Sequence, residues 1–236
     1  MSELIRPSTV LPANRKPITI RTADGLNLIG EVATPIGERL GSVLCLHPNP
    51  TGGGMMDSHV FRKAANRLPA LAGLEIIRFN TRGTTSDAGT SEGEHDFGNA
   101  EKYDVEAAIN FAFDEVGVDN LWVVGWSFGT DLALRHAHDP RVKGLILLSP
   151  PLRYSQPEDL EFWATDSRPL IGLIPEHDDY LKPEAALERF SVIPHIQLIN
   201  VDDAKHLWVG EPMVHRVLSE IVRVIAPSRL PVPLEY

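Results

Sequence analysis

The feature that most constrains the fold is a succession of short apolar runs that do not alternate. "SVLCLH", "LEIIRFN", "LWVVGWS", "VKGLILLS", "RPLIGLI" and "HIQLINV" follow one another along the chain. A strand with one wet face alternates polar and apolar residues. A strand covered on both faces need not, and the strands of parallel sheets are covered on both. Between the runs, apolar residues recur at spacings of three and four over 57–70, 100–116, 128–138, 183–190 and 212–225, the pattern of helices with one buried stripe. Strand and helix thus alternate with connections short enough for right-handed βαβ units, which predicts an α/β fold around a mostly parallel sheet with helices on both faces. Ahead of these units, "KPITIRTADGLNLIGEVATP" alternates on both sides of Asp24-Gly25 and predicts an antiparallel hairpin. Asp57 and Asn99 are expected as helix N-caps. The reading is one domain over 1–236, with irregular tails at 1–16 and 227–236.

Composition narrows the function classes. The formal net charge is −10, with 22 Lys and Arg against 32 Asp and Glu. Without basic clusters there is no counterion-release surface for nucleic acid or anionic membrane. No stretch approaches the about 18 apolar residues of a membrane-spanning helix. The first residues lack the apolar core of a secretory leader, so a cytoplasmic protein is expected. Cys45 is the one cysteine, which leaves no intrachain disulfide and reads as a small buried hydrophobe.

Within "LWVVGWSFGTDLAL", residues Gly125 to Gly129 fit G-x-S-x-G between a strand and a helix. That context is a nucleophile elbow: a sharp turn holds Ser127 clear of the sheet, and glycines are needed where side chains would strike the neighbouring elements. A serine hydroxyl needs a base, and the base needs an acid to set its tautomer. The chain order on this architecture is Ser, then Asp or Glu, then His, at the carboxyl ends of strands. Of the nine histidines, His206 alone has that order and that edge. His136 and His138 end the elbow helix two apart and point to different faces. His195 begins a strand, and His215 lies inside a helix. The acid is expected in the cluster Glu176-His177-Asp178-Asp179 after "LIGLIP", with Asp178 ahead of Asp179.

An oxyanion needs two N–H donors. Phe128, the residue after the nucleophile, supplies one. The second is expected from the loop after "SVLCL", which reads His47-Pro48-Asn49-Pro50. Proline has no N–H, so Asn49 is the donor among the three residues after His47. "TGGGMMD" lacks the endings of phosphate and dinucleotide loops and reads as backbone room near the site. His47, Trp126, Phe162 and Trp163 are expected around the pocket, the last two from a short segment, 152–167, that would form only a minimal cap.

Taken together, "LHPNPTGGGMMDSHV", "RFNTRG", "TSEG" and "GWSFG" resemble the small bacterial α/β-hydrolases with a His-Pro-x-Pro, Gly-Gly, Met-Asp segment, loosely related to the dienelactone-hydrolase group. The resemblance covers 41–137 closely. It implies the α/β-hydrolase fold and a cofactor-free, metal-free hydrolase. Dienelactone hydrolases use cysteine, so their substrate does not carry over to Ser127. In the resembling family the acid turn runs glycine, two variable residues, acid, then a proline four or five residues later. With Pro175 in the glycine's place, that register selects Asp178 and leaves Asp179 to cap the following turn. The expectation is a serine hydrolase (carboxylesterase- or thioesterase-like) acting on a small acyl substrate. Acyl transfer on the same apparatus and a non-enzymatic binding module remain alternatives. Substrate identity and oligomeric state stay open.

Overall fold

The computed structural model describes residues 3–236. The chain runs β1 (Asn14–Arg21), β2 (Asn27–Thr34), β3 (Gly41–Leu46), α1 (His59–Ala72), β4 (Leu74–Phe79), a small hairpin of β5 (Thr85–Ser86) and β6 (Gly89–Thr90), and α2 (Glu101–Phe111). It continues through β7 (Leu121–Trp126), α3 (Phe128–His136), β8 (Val142–Leu148), α4 (Pro157–Thr165), β9 (Leu170–His177), α5 (Pro183–Arg189), β10 (Gln197–Lys205) and α6 (Glu211–Ile225). Eight strands form one sheet in the order β1-β2-β4-β3-β7-β8-β9-β10. The first two pairings are antiparallel and the rest parallel, as the hairpin and the unbroken apolar runs require.

The two faces of the sheet explain those runs. Every residue of β3, β4 and β7 is buried. On one face Leu44, Leu46, Ile77, Val123, Leu145 and Leu147 pack with side chains of α2, α3 and α4. On the other, Val43, Cys45, Ile76, Val124, Ile146 and Leu148 pack with α1 and α6. The alternation of period two is there, but both of its phases are apolar. Two charges interrupt β4 and are matched inside the fold. Glu75 accepts from Arg39, Ser42 and Thr34, and Arg78 pairs with Glu31 and Asp57.

Several local expectations change. Ser58, not Asp57, is the N-cap residue of α1, because the Asp57 carboxylate is taken by Arg78. Asn99 does not cap α2, whose N-cap residue is Ala100. Instead Asp96 accepts from the Ala100 amide, and Glu101 reaches back to the amides of Asp96 and Gly98. The 152–167 segment contains an unforeseen helix, α4, closed by a reciprocal cap between Gln156 and Asp159. The tails are not simply irregular. Leu4 bridges Glu235, and residues 227–229 form a 3-10 turn. Residues 1–2 lie outside the described residues. No described helix is long and apolar enough to cross a membrane.

The strand order places the site. From β3 the chain moves outward to β4, then returns to the other side of β3 with β7. The loops leaving β3 and β7 therefore diverge around a crevice at a topological switch point. Leu46 pairs with Gly125 in that register, so the 47–54 loop and the serine turn emerge side by side.

Candidate active site

Ser127 sits at φ 52° and ψ −118°, a strained conformation for a residue with a Cβ. Three contacts hold it there. Its amide donates to Leu148 O at 2.9 Å, and its carbonyl accepts from the Thr130 amide at 2.8 Å and hydroxyl at 2.6 Å. The flanking glycines are steric requirements. A Cβ on Gly125 would lie 2.4 Å from Gly129 O, and one on Gly129 would lie 1.9 Å from Leu46 O. Their bareness lets the first turn of α3 rest against the ends of β3 and β7.

His206 follows β10. Its Nε2 is 2.8 Å from Ser127 Oγ, and its Nδ1 is 2.9 Å from Asp178 Oδ2. The serine hydroxyl, having no other acceptor there, donates to Nε2, so Nδ1 carries the proton and donates to Asp178. Asp178 is buried and uses its second oxygen to accept from the amides of Tyr180 at 2.8 Å and Leu181 at 3.1 Å. The capping foreseen for Asp179 is thus done by Asp178 itself, and Asp179 is exposed. The register that selects Asp178 brings it to the histidine.

Of the two expected oxyanion donors, Asn49 borders the groove at Ser127 and Phe128 opens α3 directly after Ser127. The Phe128 amide is the first N–H of α3 and has no carbonyl within the helix to serve. Asn49 turns its carbonyl back to Gly52 and Gly54 and its side-chain oxygen to Thr51. Among the described residues neither the Asn49 nor the Phe128 amide meets a backbone acceptor.

Of the four expected pocket residues, only Trp126 lines the groove at Ser127. That groove of about 470 Å³ is bounded by Gly52–Gly54, Met55, His59, Trp126, Leu207 and Val209, beside Asn49 and His206. His47 is fully buried behind it. Its Nε2 accepts from the Thr81 amide and hydroxyl, so its Nδ1 donates to Pro48 O at 2.7 Å. Burial depresses its pKa to about 4, against the smaller opposing effect of that Pro48 bond. His47 is therefore a neutral clasp that ties the Asn49 loop to the end of β4. Phe162 and Trp163 lie elsewhere. Phe162 stacks on His138. Trp163 is buried and donates its indole N–H to Leu134 O. The apolar face of α4 satisfies itself on α3, so the expected partial cover over the groove is absent from this segment.

Ser149 and Tyr180, not foreseen from sequence, complete the setting with Trp126. The carbonyl of His206 accepts both the Trp126 indole N–H at 3.1 Å and the Ser149 hydroxyl at 3.0 Å. The Tyr180 ring lies 4.6 Å from the imidazole. His195 and His215 bond backbone carbonyls far from Ser127, and His136 and His138 have separate partners. Among the described residues, Glu176, His177 and Asp203 bring one ligand atom each within 4.8 Å. All three are exposed, and Glu176 already accepts from the Asp203 amide.

A family model for the alpha/beta hydrolase fold matches residues 41–176. The chain belongs to that family. Like this α/β hydrolase, a Xanthomonas campestris protein described as a serine hydrolase without lid has the fold. It is 26% identical, with a TM-score of 0.72 over 93% of this chain and 99% of its own. An α/β serine hydrolase homologue from Coxiella burnetii is 24% identical, with a TM-score of 0.73 over 92% of this chain and 100% of its own. An esterase from Pyrococcus furiosus, 18% identical, gives 0.74 over 95% and 99%. Among curated proteins no sequence matches the chain.

Proposed function

We propose that this α/β hydrolase is a serine hydrolase that cleaves an ester or thioester of a small acyl substrate through an acyl-enzyme. The observation that carries the reading is the continuous hydrogen-bonded line Ser127–His206–Asp178, ending in a groove open to solvent. Ser127 Oγ attacks the acyl carbon as His206 Nε2 takes its proton. Asp178 keeps Nδ1 protonated and stabilises the imidazolium. The amides of Asn49 and Phe128 receive the negative oxygen. His206 then protonates the leaving alcohol or thiol, and water, activated by the same nitrogen, resolves the acyl-enzyme. The His-Pro-x-Pro segment is our basis for grouping the chain with the small bacterial members of the family, loosely related to dienelactone hydrolases. A cytoplasmic, single-domain enzyme that needs neither metal nor cofactor is part of the same reading.

A panel of activated esters and thioesters tests it, with a fluorophosphonate as covalent label. Ser127→Ala is expected to remain folded, to escape the label and to lose at least about 10³-fold in kcat, since the oxyanion donors remain but the nucleophile does not. Wild-type turnover in that variant sinks the proposal. Acyl transfer to an added alcohol, read as ester product, distinguishes the transferase alternative.

A further inference from the structure

The groove holds a polar atom that the chemistry at Ser127 does not use. His59 stands at its wall as the first residue of α1. Its ring meets the Trp126 ring edge-on, with centroids 5.3 Å apart, so it shares a wall with the residue just before the nucleophile. Its Nε2 lies 3.2 Å from the carbonyl of Trp208. A carbonyl can only accept, so Nε2 carries the proton. In the neutral ring Nδ1 is then a bare acceptor. Burial, the larger effect, lowers the pKa of His59 against the opposing pull of that carbonyl, which keeps the ring neutral at physiological pH. Nδ1 has no hydrogen-bond partner among the described residues, and it is not among the buried polar atoms left unpaired. It therefore keeps some exposure, on a residue that lines the groove.

The rest of the wall restricts what can meet it. No Lys, Arg, Asp or Glu lines the groove among the described residues. Trp126, Leu207, Val209 and Met55 supply apolar surface. An anionic arm would find no charged lining residue to pair with and would face a protein of net charge −10. A wholly apolar arm would fill the groove but cover Nδ1 and strip its water without replacing the bond.

We propose that the groove selects uncharged esters in which one arm carries a hydrogen-bond donor, a hydroxyl or an amide N–H, and that Nδ1 of His59 is the acceptor which recognises it. This rests on the serine-hydrolase reading and names the substrate class of that same site. His59 here is a specificity residue: it touches the arm and not the reacting atoms.

Matched substrates test it by kcat/KM. On the acyl arm, ethyl N-acetylglycinate is compared with ethyl 4-oxopentanoate, which replaces N–H by CH2. On the alcohol arm, 2-hydroxyethyl butyrate is compared with propyl butyrate, which replaces O–H by CH3. In the wild type the donor-bearing member of at least one pair is expected to lead by about tenfold, the worth of one such bond at a partly solvated site. His59→Phe should reduce that ratio to within about twofold while still turning over the donor-free ester. His59→Gln, whose amide can donate to Trp208 O and still present an oxygen, should keep a preference. Ratios near one in both wild-type pairs, or a preference unchanged by His59→Phe, overturn the proposal. Fluorophosphonate labelling of Ser127, run on the same preparations, separates the two levels. Labelling with no donor preference refutes only the subsite, whereas no labelling and no hydrolysis of any ester removes the parent reading and the subsite together.

Discussion

His47 offers a quantitative test of how the site is braced. Its neutral form is the one the fold selects, because Nε2 must accept from the Thr81 amide and a protonated ring cannot. A histidine in the unfolded chain has a pKa near 6.5, while burial lowers that of folded His47 to about 4. Above pH 6.5 the ring is neutral in both states, and the full contribution is present. Between pH 6.5 and 4 the unfolded chain binds a proton that the folded protein refuses, so stability falls by about 1.4 kcal/mol per pH unit. Over that window the loss is about 3 kcal/mol. Other histidines also titrate, so the comparison is with His47→Gln, whose amide can donate to Pro48 O and accept from Thr81 N but has no proton to bind. Urea unfolding followed by tryptophan fluorescence at half-unit steps from pH 7.5 to 4 gives the difference. The substitution is expected to cost about 1–2 kcal/mol at neutral pH, from imperfect packing at a fully buried site. That cost should shrink with acid until the variant equals or surpasses the wild type near pH 4. A stability difference that stays flat across the window would refute the assignment of His47 as a neutral clasp.

Further tests address the site and its support. Asp178→Asn should lower kcat by about 10⁴-fold by favouring the wrong imidazole tautomer, while Asp179→Asn, at an exposed side chain, should stay within about threefold. The reverse ranking, with both folded by circular dichroism, would move the acid. Gly129→Ala should destabilise the fold by about 3 kcal/mol or more, because its Cβ would meet the backbone oxygen of Leu46 at 1.9 Å and no side chain can yield. A melting temperature within 2–3 °C of wild type would contradict that close approach. With α4 docked on α3 and the groove open, a p-nitrophenyl ester series should favour short acyl chains and show no rate jump above the micelle concentration. A steep preference for long chains would show that something covers the groove.

Local patterns determined much of this protein. The sheet and its helices were legible because burial on both faces writes unbroken apolar runs, and helix periodicity survives between them. Ser127 and His206 were legible because the elbow is a five-residue backbone problem and because chain order and strand edge leave one histidine. Asn49 was singled out by the prolines on either side of it, and its donor role belongs to the proposed function. Choices among neighbours, and contacts between distant segments, belonged to the tertiary structure. Asp178 is buried with its carboxylate on the imidazole, while the adjacent Asp179 is exposed. The turn register of the resembling family pointed to Asp178, and the structure adds its burial against the imidazole. Phe162 and Trp163 were expected over the pocket from their place in the chain, yet Trp163 is buried against α3 and the half-buried Phe162 stacks on His138. His47 looked like a pocket residue because it adjoins the Asn49 loop, but its buried ring bridges Pro48 to Thr81, 34 residues away. Ser149 carries no motif, and His59 sits in the segment of family resemblance without any role assigned from it. Their roles exist only because the ends of β8 and β10 and the start of α1 converge on the crevice beside Ser127, a convergence set by strand order, which sequence periodicity does not encode.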